Sequence, residues 1–140
     1  MESNVVEGSS VLGNSRLVAF IPTLDPAKAK AFYGKVLGLR LVADETPFAV
    51  VFDANGTMLR VTVVQDLHPD PFTVLGWNVA SINDTVDQLV KAGVEFLRYP
   101  GMNDTDPHAV WTAPSGARVA WFVDPDGNVL SLTQFGEKAS

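Results

Sequence analysis

The chain has no cysteine, which excludes a disulfide framework, a thiolate nucleophile and any sulfur-ligated metal site. It also lacks a basic cluster. Ten Lys and Arg stand against sixteen Asp and Glu, and the acids are spread along the chain to give a formal net charge of −6. Such a surface repels a polyanion, so nucleic acid is not an expected partner. Long hydrophobic runs are missing too. The most apolar stretches, 48–52 and 119–123, are far too short to cross a bilayer, so no membrane partner is expected. The opening residues show no basic stretch followed by an apolar one and read as a loose tail, not a signal peptide. With the absence of cysteine, this fits a cytoplasmic protein. There is no glycine-rich phosphate loop, no Ser-His-Asp set with a recognisable elbow and no carboxylate pair at informative spacing. No catalytic residue can be named on these grounds, and small molecules or other chains are the expected partners.

What is present is ample apolar material: 46% of 140 residues, enough for the core of one domain. The expected layout is a tail over 1–14, a single domain over 15–136 and a short C-terminal tail over 137–140. Residues 16–22 read as a strand. Asp25-Pro26 opens a helix, since Asp accepts free amide hydrogens and proline fits the first helical position. Ala29, Phe32, Tyr33, Val36 and Leu37 share one helical face, and Gly38 closes it. Strands are expected at 39–43, 48–53 and 57–65, with turns at Pro47 and Asn55-Gly56.

After the break His68-Pro69-Asp70-Pro71 the pattern returns: a strand near 73–80, a cap at Ser81 with Asp84, and an apolar stripe of Ile82, Val86, Leu89 and Val90. Gly93 ends this helix, 55 residues after Gly38. Strands at 94–99, 109–112, 117–123 and 129–135 follow. The implied fold class is α+β, two tandem βαβββ modules (15–66 and 72–136). The break over 100–107 reads either as a surface loop covering a site or as a tolerated insertion.

Three stretches carry a family resemblance. Leu24-Asp25-Pro26 with Ala31-Phe32-Tyr33 and Val36-Leu37-Gly38-Leu39 is one, the run from Leu89 to Phe96 a second, and Phe122-Val123-Asp124-Pro125-Asp126-Gly127-Asn128-Val129-Leu130 the third. In this order, over roughly 17–135, they resemble the glyoxalase/bleomycin-resistance/dioxygenase superfamily, also called the vicinal oxygen chelate superfamily. The 124–128 stretch has its own physical reading: Pro and Gly set turn dihedrals and Asp and Asn cap backbone groups, which makes it a structural hairpin.

The resemblance implies a cup-shaped mixed sheet around a central pocket, with four inward positions able to hold a divalent metal. In this chain those positions are Val18, Arg60, Val74 and Ser131. Valine cannot ligate, arginine repels a cation and a lone serine is a poor ligand. No metal and no other cofactor is therefore expected. The histidines, His68 and His108, read as exposed loop residues, though His108 could reach a pocket mouth as acid or base.

Alternation along the strands places Phe20, Met58, Thr62, Gly76, Asn78 and Thr133 on the cup face with those four. The opposite set, Ala19, Ile21, Leu59, Val61, Leu75, Trp77, Val79, Leu130 and Leu132, is apolar and should pack under the helices. Arg60 is costly inside an apolar strand without a partner. It either binds an anionic ligand group, makes an internal salt bridge or snorkels to solvent. Trp111 and Trp121 are either stacking walls or core residues.

The expected ligand-binding residues are Phe20, Met58, Arg60, Asn78, Trp111 and Ser131. They belong to a metal-free protein that binds a small organic ligand, an anionic one included, like the superfamily's antibiotic-sequestering branch. The resemblance further implies a homodimer with pockets made or closed at its interface. Two alternatives stand beside this: an enzyme of the same fold (a lyase, isomerase or dioxygenase) using displaced metal ligands or Arg60, His108 or Tyr99, and a scaffold whose pocket has collapsed.

Overall fold

The structure is a computed structural model describing residues 11–136. The expected C-terminal tail, 137–140, and most of the expected N-terminal tail lie outside the described residues. The order of elements is β1 (Val18–Thr23), α1 (Pro26–Ala31), β2 (Arg40–Glu45), β3 (Ala49–Ala54), β4 (Thr57–Val63), β5 (Thr73–Asn78), α2 (Ile82–Lys91), β6 (Trp111–Thr112), β7 (Arg118–Val123) and β8 (Val129–Gln134). These build two four-stranded sheets with the same internal order, β1-β4-β3-β2 and β5-β8-β7-β6. In each, the strand before the helix pairs in parallel with the last strand, and the remaining pairs are antiparallel. The repeat visible in the sequence is thus a repeat of topology. The two modules of an α+β fold are present, and their mixed strands form two sheets.

Both helices start as their sequences require. Asp25 Oδ1 accepts from the amides of Ala27 (3.1 Å) and Lys28 (3.2 Å), with Pro26 opening α1. Ser81 Oγ accepts from Asp84 N at 3.4 Å. The first helix departs from expectation after Ala31. Residues Phe32–Val36 form a wider π turn, closed by Leu37 N donating to Phe32 O at 2.9 Å. The extra residue in that turn changes the helical phase that the 3.6-residue period assumes. Here Phe32 and Tyr33 both pack inward, edge to face at 5.2 Å.

A second departure concerns 94–99, expected as a strand. Its ladder is reduced to one bridge, Phe96 with Phe122, and the bond from Leu97 N to Trp121 O. Side chains take over the polar groups that would have continued it. The amide of Tyr99 donates to Asn103 Oδ1 at 2.7 Å, and Asn103 Nδ2 donates to Leu97 O and Ala109 O. Likewise β6 begins at Trp111 and not at 109, because Ala109 takes a positive φ of 57° that no strand accommodates.

The expected apolar set does pack under the helices. Ile21, Leu59, Val61, Leu130 and Leu132 are buried in one core cluster with Tyr33, Phe52, Ile82, Val86 and Phe122, and Ala19, Leu75, Trp77 and Val79 pack against it. The cluster draws on both sheets and both helices. One core therefore joins the modules through their helix-bearing faces.

The 124–128 stretch is the structural hairpin its turn chemistry implies, and the structure shows that it also clasps that joint. Asp124 Oδ1 accepts from the amides of Asp126 and Asn128, both at 2.9 Å. Tyr33 Oη donates to Asp124 Oδ2 at 2.6 Å, Asn128 Nδ2 reaches Pro22 O, and Asp126 accepts from Thr23 Oγ1 and Leu24 N. Burial and then the facing Asp124 carboxylate raise the Tyr33 hydroxyl far above its ordinary range, so it stays a donor. Among the described residues no helix is long and apolar enough to cross a membrane.

Candidate ligand-binding faces

Because the helix-bearing faces meet in the core, the opposite face of each sheet stays open. Register identifies its residues. In the first sheet Val18 pairs with Met58 and Phe20 with Arg60, and across the next ladder Met58 pairs with Asp53 and Arg60 with Val51. Phe20, Met58 and Arg60 therefore lie together on one face, as expected. In the second sheet Gly76, Ser131 and Trp121 form one row, and Asn78, Thr133, Val119 and Trp111 form the next. That row unites Asn78 with Trp111, beside Ser131. Val74 sits at an irregularity between Thr73 and Leu75 and is exposed.

The six expected residues thus form two groups on two sheets, and the clefts beside them follow that division. One, about 290 Å³, runs along Val18, Arg40, Asp53 and Met58; another, about 310 Å³, runs along Phe72, Tyr99, Met102 and Trp121. Exposure is high where a finished core would have none: Phe20 is 64% exposed, Phe72 59% and Val74 46%. The second face carries an aromatic shelf. Trp121 meets Tyr99 edge-on at 5.4 Å and Trp111 at 6.2 Å with the rings tilted by 33°. Ser131 is buried under it, packed so tightly on Gly76 that a Cβ there would lie 2.6 Å from its Oγ.

Arg60 has a protein partner. Its Nη2 donates to Glu45 Oε1 at 2.8 Å, with the two side chains 30% and 45% exposed. Glu45 lies past the end of the strand expected at 39–43, and a bulge between Leu41 and Ala43 decides which way it points. Arg40 opposes Asp53, and after the bulge Ala43 opposes Val51 and Glu45 opposes Ala49. Without the extra residue, alternation would turn Glu45 to the helix side and Asp44 to the open face. Val51 and Ala49, which share the open face with the pair, are both buried at 2%. Asp44, on the other face, is bound by Thr46 and Lys30, which hold its carboxyl down to about 2.

The four positions where the fold places metal ligands do not fit a metal. Val18 and Val74 have no donor atom, Arg60 is a cation already paired to Glu45, and Ser131 is wedged against Gly76. Among the described residues no three His, Asp or Glu side chains gather as a metal-holding group.

Of the two histidines expected as exposed loop residues, His68 is one and His108 is not. His68 is exposed beside Asp66 at 3.2 Å. His108 is only 28% exposed, and its Nε2 lies 3.2 Å from Asp87 Oδ1 of α2. The partner is twenty-one residues away in sequence, so spacing gave no sign of it. His108 lines a cleft of about 470 Å³ with Val86, Val90, Val94, Phe96 and Arg98, on the helix side. His108, Arg60 and Tyr99 thus belong to three separate places. The 100–107 loop is held to His108's side by its own polar groups. Arg98 Nη1 donates to the carbonyls of Asn103, Asp104 and Asp106, and Asp106 Oδ2 accepts from the amides of His108 and Val110.

Tandem βαβββ modules sharing one core, with a mixed polar and aromatic surface on the uncovered faces, define a class of small α+β proteins. The comparisons place the chain within it. Residues 16–132 match the Glyoxalase/Bleomycin resistance protein/Dioxygenase superfamily, and the chain belongs to that superfamily. A superfamily member from Sphaerobacter thermophilus is similar in structure, 26% identical over 85% of this chain and 95% of that one, with a TM-score of 0.64. A glyoxalase/bleomycin resistance protein/dioxygenase from Nocardioides (18% identical, 94% and 89% covered, TM-score 0.68) shares the fold. So does a lactoylglutathione lyase from Agrobacterium tumefaciens (17% identical, 86% and 93% covered, TM-score 0.64). No curated protein compared with the chain matches it.

Proposed function

We propose that this protein is a metal-free binder of a small organic ligand with a flat apolar body and an anionic group. The carrying observation is the composition of the open faces: a guanidinium beside exposed Phe20 and Met58 on one sheet, and the Tyr99–Trp111–Trp121 shelf on the other. Apolar walls with few polar points are what small-molecule sites are made of. A chain whose pocket had collapsed into a scaffold would have packed these side chains away. Each face covers one side of a ligand only, so we further propose that a second copy of the chain supplies the opposing wall in a homodimer. A cytoplasmic location accords with the lack of cysteine.

One observation favours a second reading, metal-independent acid–base catalysis: His108, paired with Asp87, lines a cleft that also holds Glu95 and Arg98. It would act away from the open faces, with the carboxylate orienting the imidazole.

A thermal-shift screen of aromatic carboxylates and sulfonates tests the binding reading. Ligands are expected to raise the melting temperature, and Arg60→Gln to weaken the best of them about tenfold, the loss of one charge-assisted contact. No stabilising compound, or full affinity in Arg60→Gln, sinks the anion site. Stoichiometric Ni, Zn, Fe or Mn in purified protein sinks the metal-free assignment.

A further inference from the structure

We infer that Glu45 is the selectivity residue of the first open face. It engages Nη2 of the Arg60 guanidinium and competes there with an anionic ligand group, an inference that rests on the binding reading above. Three observations meet here. Nη2 of Arg60 is engaged by Glu45 at 2.8 Å, and Glu45 is that guanidinium's one hydrogen-bond partner among the described residues. Both side chains are partly exposed, so the pair is screened and weak enough to exchange. And Glu45 reaches this face only through the bulge in β2, while its neighbour Asp44 is committed to Lys30 and Thr46 behind the sheet. Among the described residues no other carboxylate lies at Arg60. Asp53, also on this face, pairs with Arg40 at 3.7 Å.

The consequence is a sorting rule. A neutral apolar ligand lies on Phe20 and Met58 without disturbing the ion pair. An anionic ligand gains the Nη2 donor by displacing the Glu45 carboxylate to water, and at the other donors of the guanidinium it still meets that carboxylate's repulsion. The pair therefore lowers affinity for weak or misplaced anions and leaves neutral ligands alone, a form of discrimination by competing charge. Ligands whose acidic group engages the guanidinium in bidentate fashion overcome it best.

Two fluorescent probes with the same ring system test this at low ionic strength: 8-anilinonaphthalene-1-sulfonate and its uncharged counterpart N-phenyl-1-naphthylamine. Both are titrated against the intact protein, Glu45→Gln, Arg60→Gln and the double variant. Glu45→Gln is expected to tighten the sulfonate about two- to fivefold, the range an exposed ion pair spans, and to leave the neutral probe unchanged. Arg60→Gln weakens the sulfonate alone, and in its background Glu45→Gln relieves only the remaining repulsion, so it tightens the sulfonate less than it does in the intact protein. If both probes bind but Glu45→Gln leaves their ratio unchanged, or lowers it as Arg60→Gln does, Glu45 merely positions the arginine and the inference is overturned while binding stands. If neither probe binds the intact protein, the binding reading itself falls. Circular dichroism of each variant confirms that the sheet is intact.

Discussion

Gly76 and Ser131 show how one missing side chain shapes the second open face. They are register partners, and the space a Cβ would need is filled by the serine hydroxyl at 2.6 Å and its carbonyl oxygen at 3.3 Å. A methyl there overpacks the row. Gly76→Ala is expected to destabilise the fold by about 1–3 kcal/mol in denaturant unfolding, and adding Ser131→Ala to recover most of that loss. If Gly76→Ala alone has no effect, the close packing is not as described. The pairing was legible only in part. Both residues were assigned to the same face by alternation, but neither composition nor spacing says that one must be small for the other to fit. Arg60 is the complementary case. The sequence marks it as a charge in need of a partner, and salt bridge and ligand were both open until the bulge in β2 turned Glu45 toward it.

Among the elements, the segment between α2 and β6 loses the strand expected over 94–99 but carries the surface loop expected over 100–107. It is a segment whose backbone groups are taken by Arg98, Asn103 and Asp106, with Asn103 1% exposed. Burial works to raise the Asp106 carboxyl, but the amides of Val110 and His108 and the nearby Arg118 hold it below its ordinary value. A lowered folded-state value means the charge stabilises the fold above the unfolded value near 3.8 and ceases to as pH falls through the folded one. Asp106→Asn should therefore be less stable by about 1 kcal/mol at neutral pH, with the gap to the native chain closing below about pH 3.8. Urea midpoints measured from pH 7 to pH 2.5 check this; a gap that widens on acidification contradicts it. The lost strand over 94–99 has the same origin, since side chains from the loop replace ladder bonds and their partners are tertiary.

At the scale of the molecule, one core joins two modules back to back, and the Asp124–Asn128 hairpin pins the second module to Pro22, Thr23 and Tyr33 of the first. That arrangement leaves both open faces uncovered in a single chain. Light scattering is expected to give twice the 15.0 kDa chain mass. Phe20→Glu should weaken that dimer roughly ten- to a hundredfold, the loss of one buried aromatic, with its circular dichroism unchanged. A native chain that stays monomeric at tens of micromolar refutes the two-copy site.

The linear order of residues was enough to determine the repeat, the helix starts, the hairpin chemistry and the division of each strand into a core face and a mixed face. These depend on short periods and local hydrogen bonds, which neighbouring residues settle among themselves. The unsuitability of Val18, Arg60, Val74 and Ser131 for a metal follows from side-chain chemistry once the fold assigns their places. What only the tertiary structure decided involves phase and distance. An extra residue in β2 changed which side chains point where, bringing Glu45 to Arg60, and Tyr33 met Asp124 only because the second module packs on the first. Asp87 met His108 because a loop folded back on a helix. Such pairings cost the chain nothing locally and leave no periodic trace, so they become visible only when the whole chain is packed.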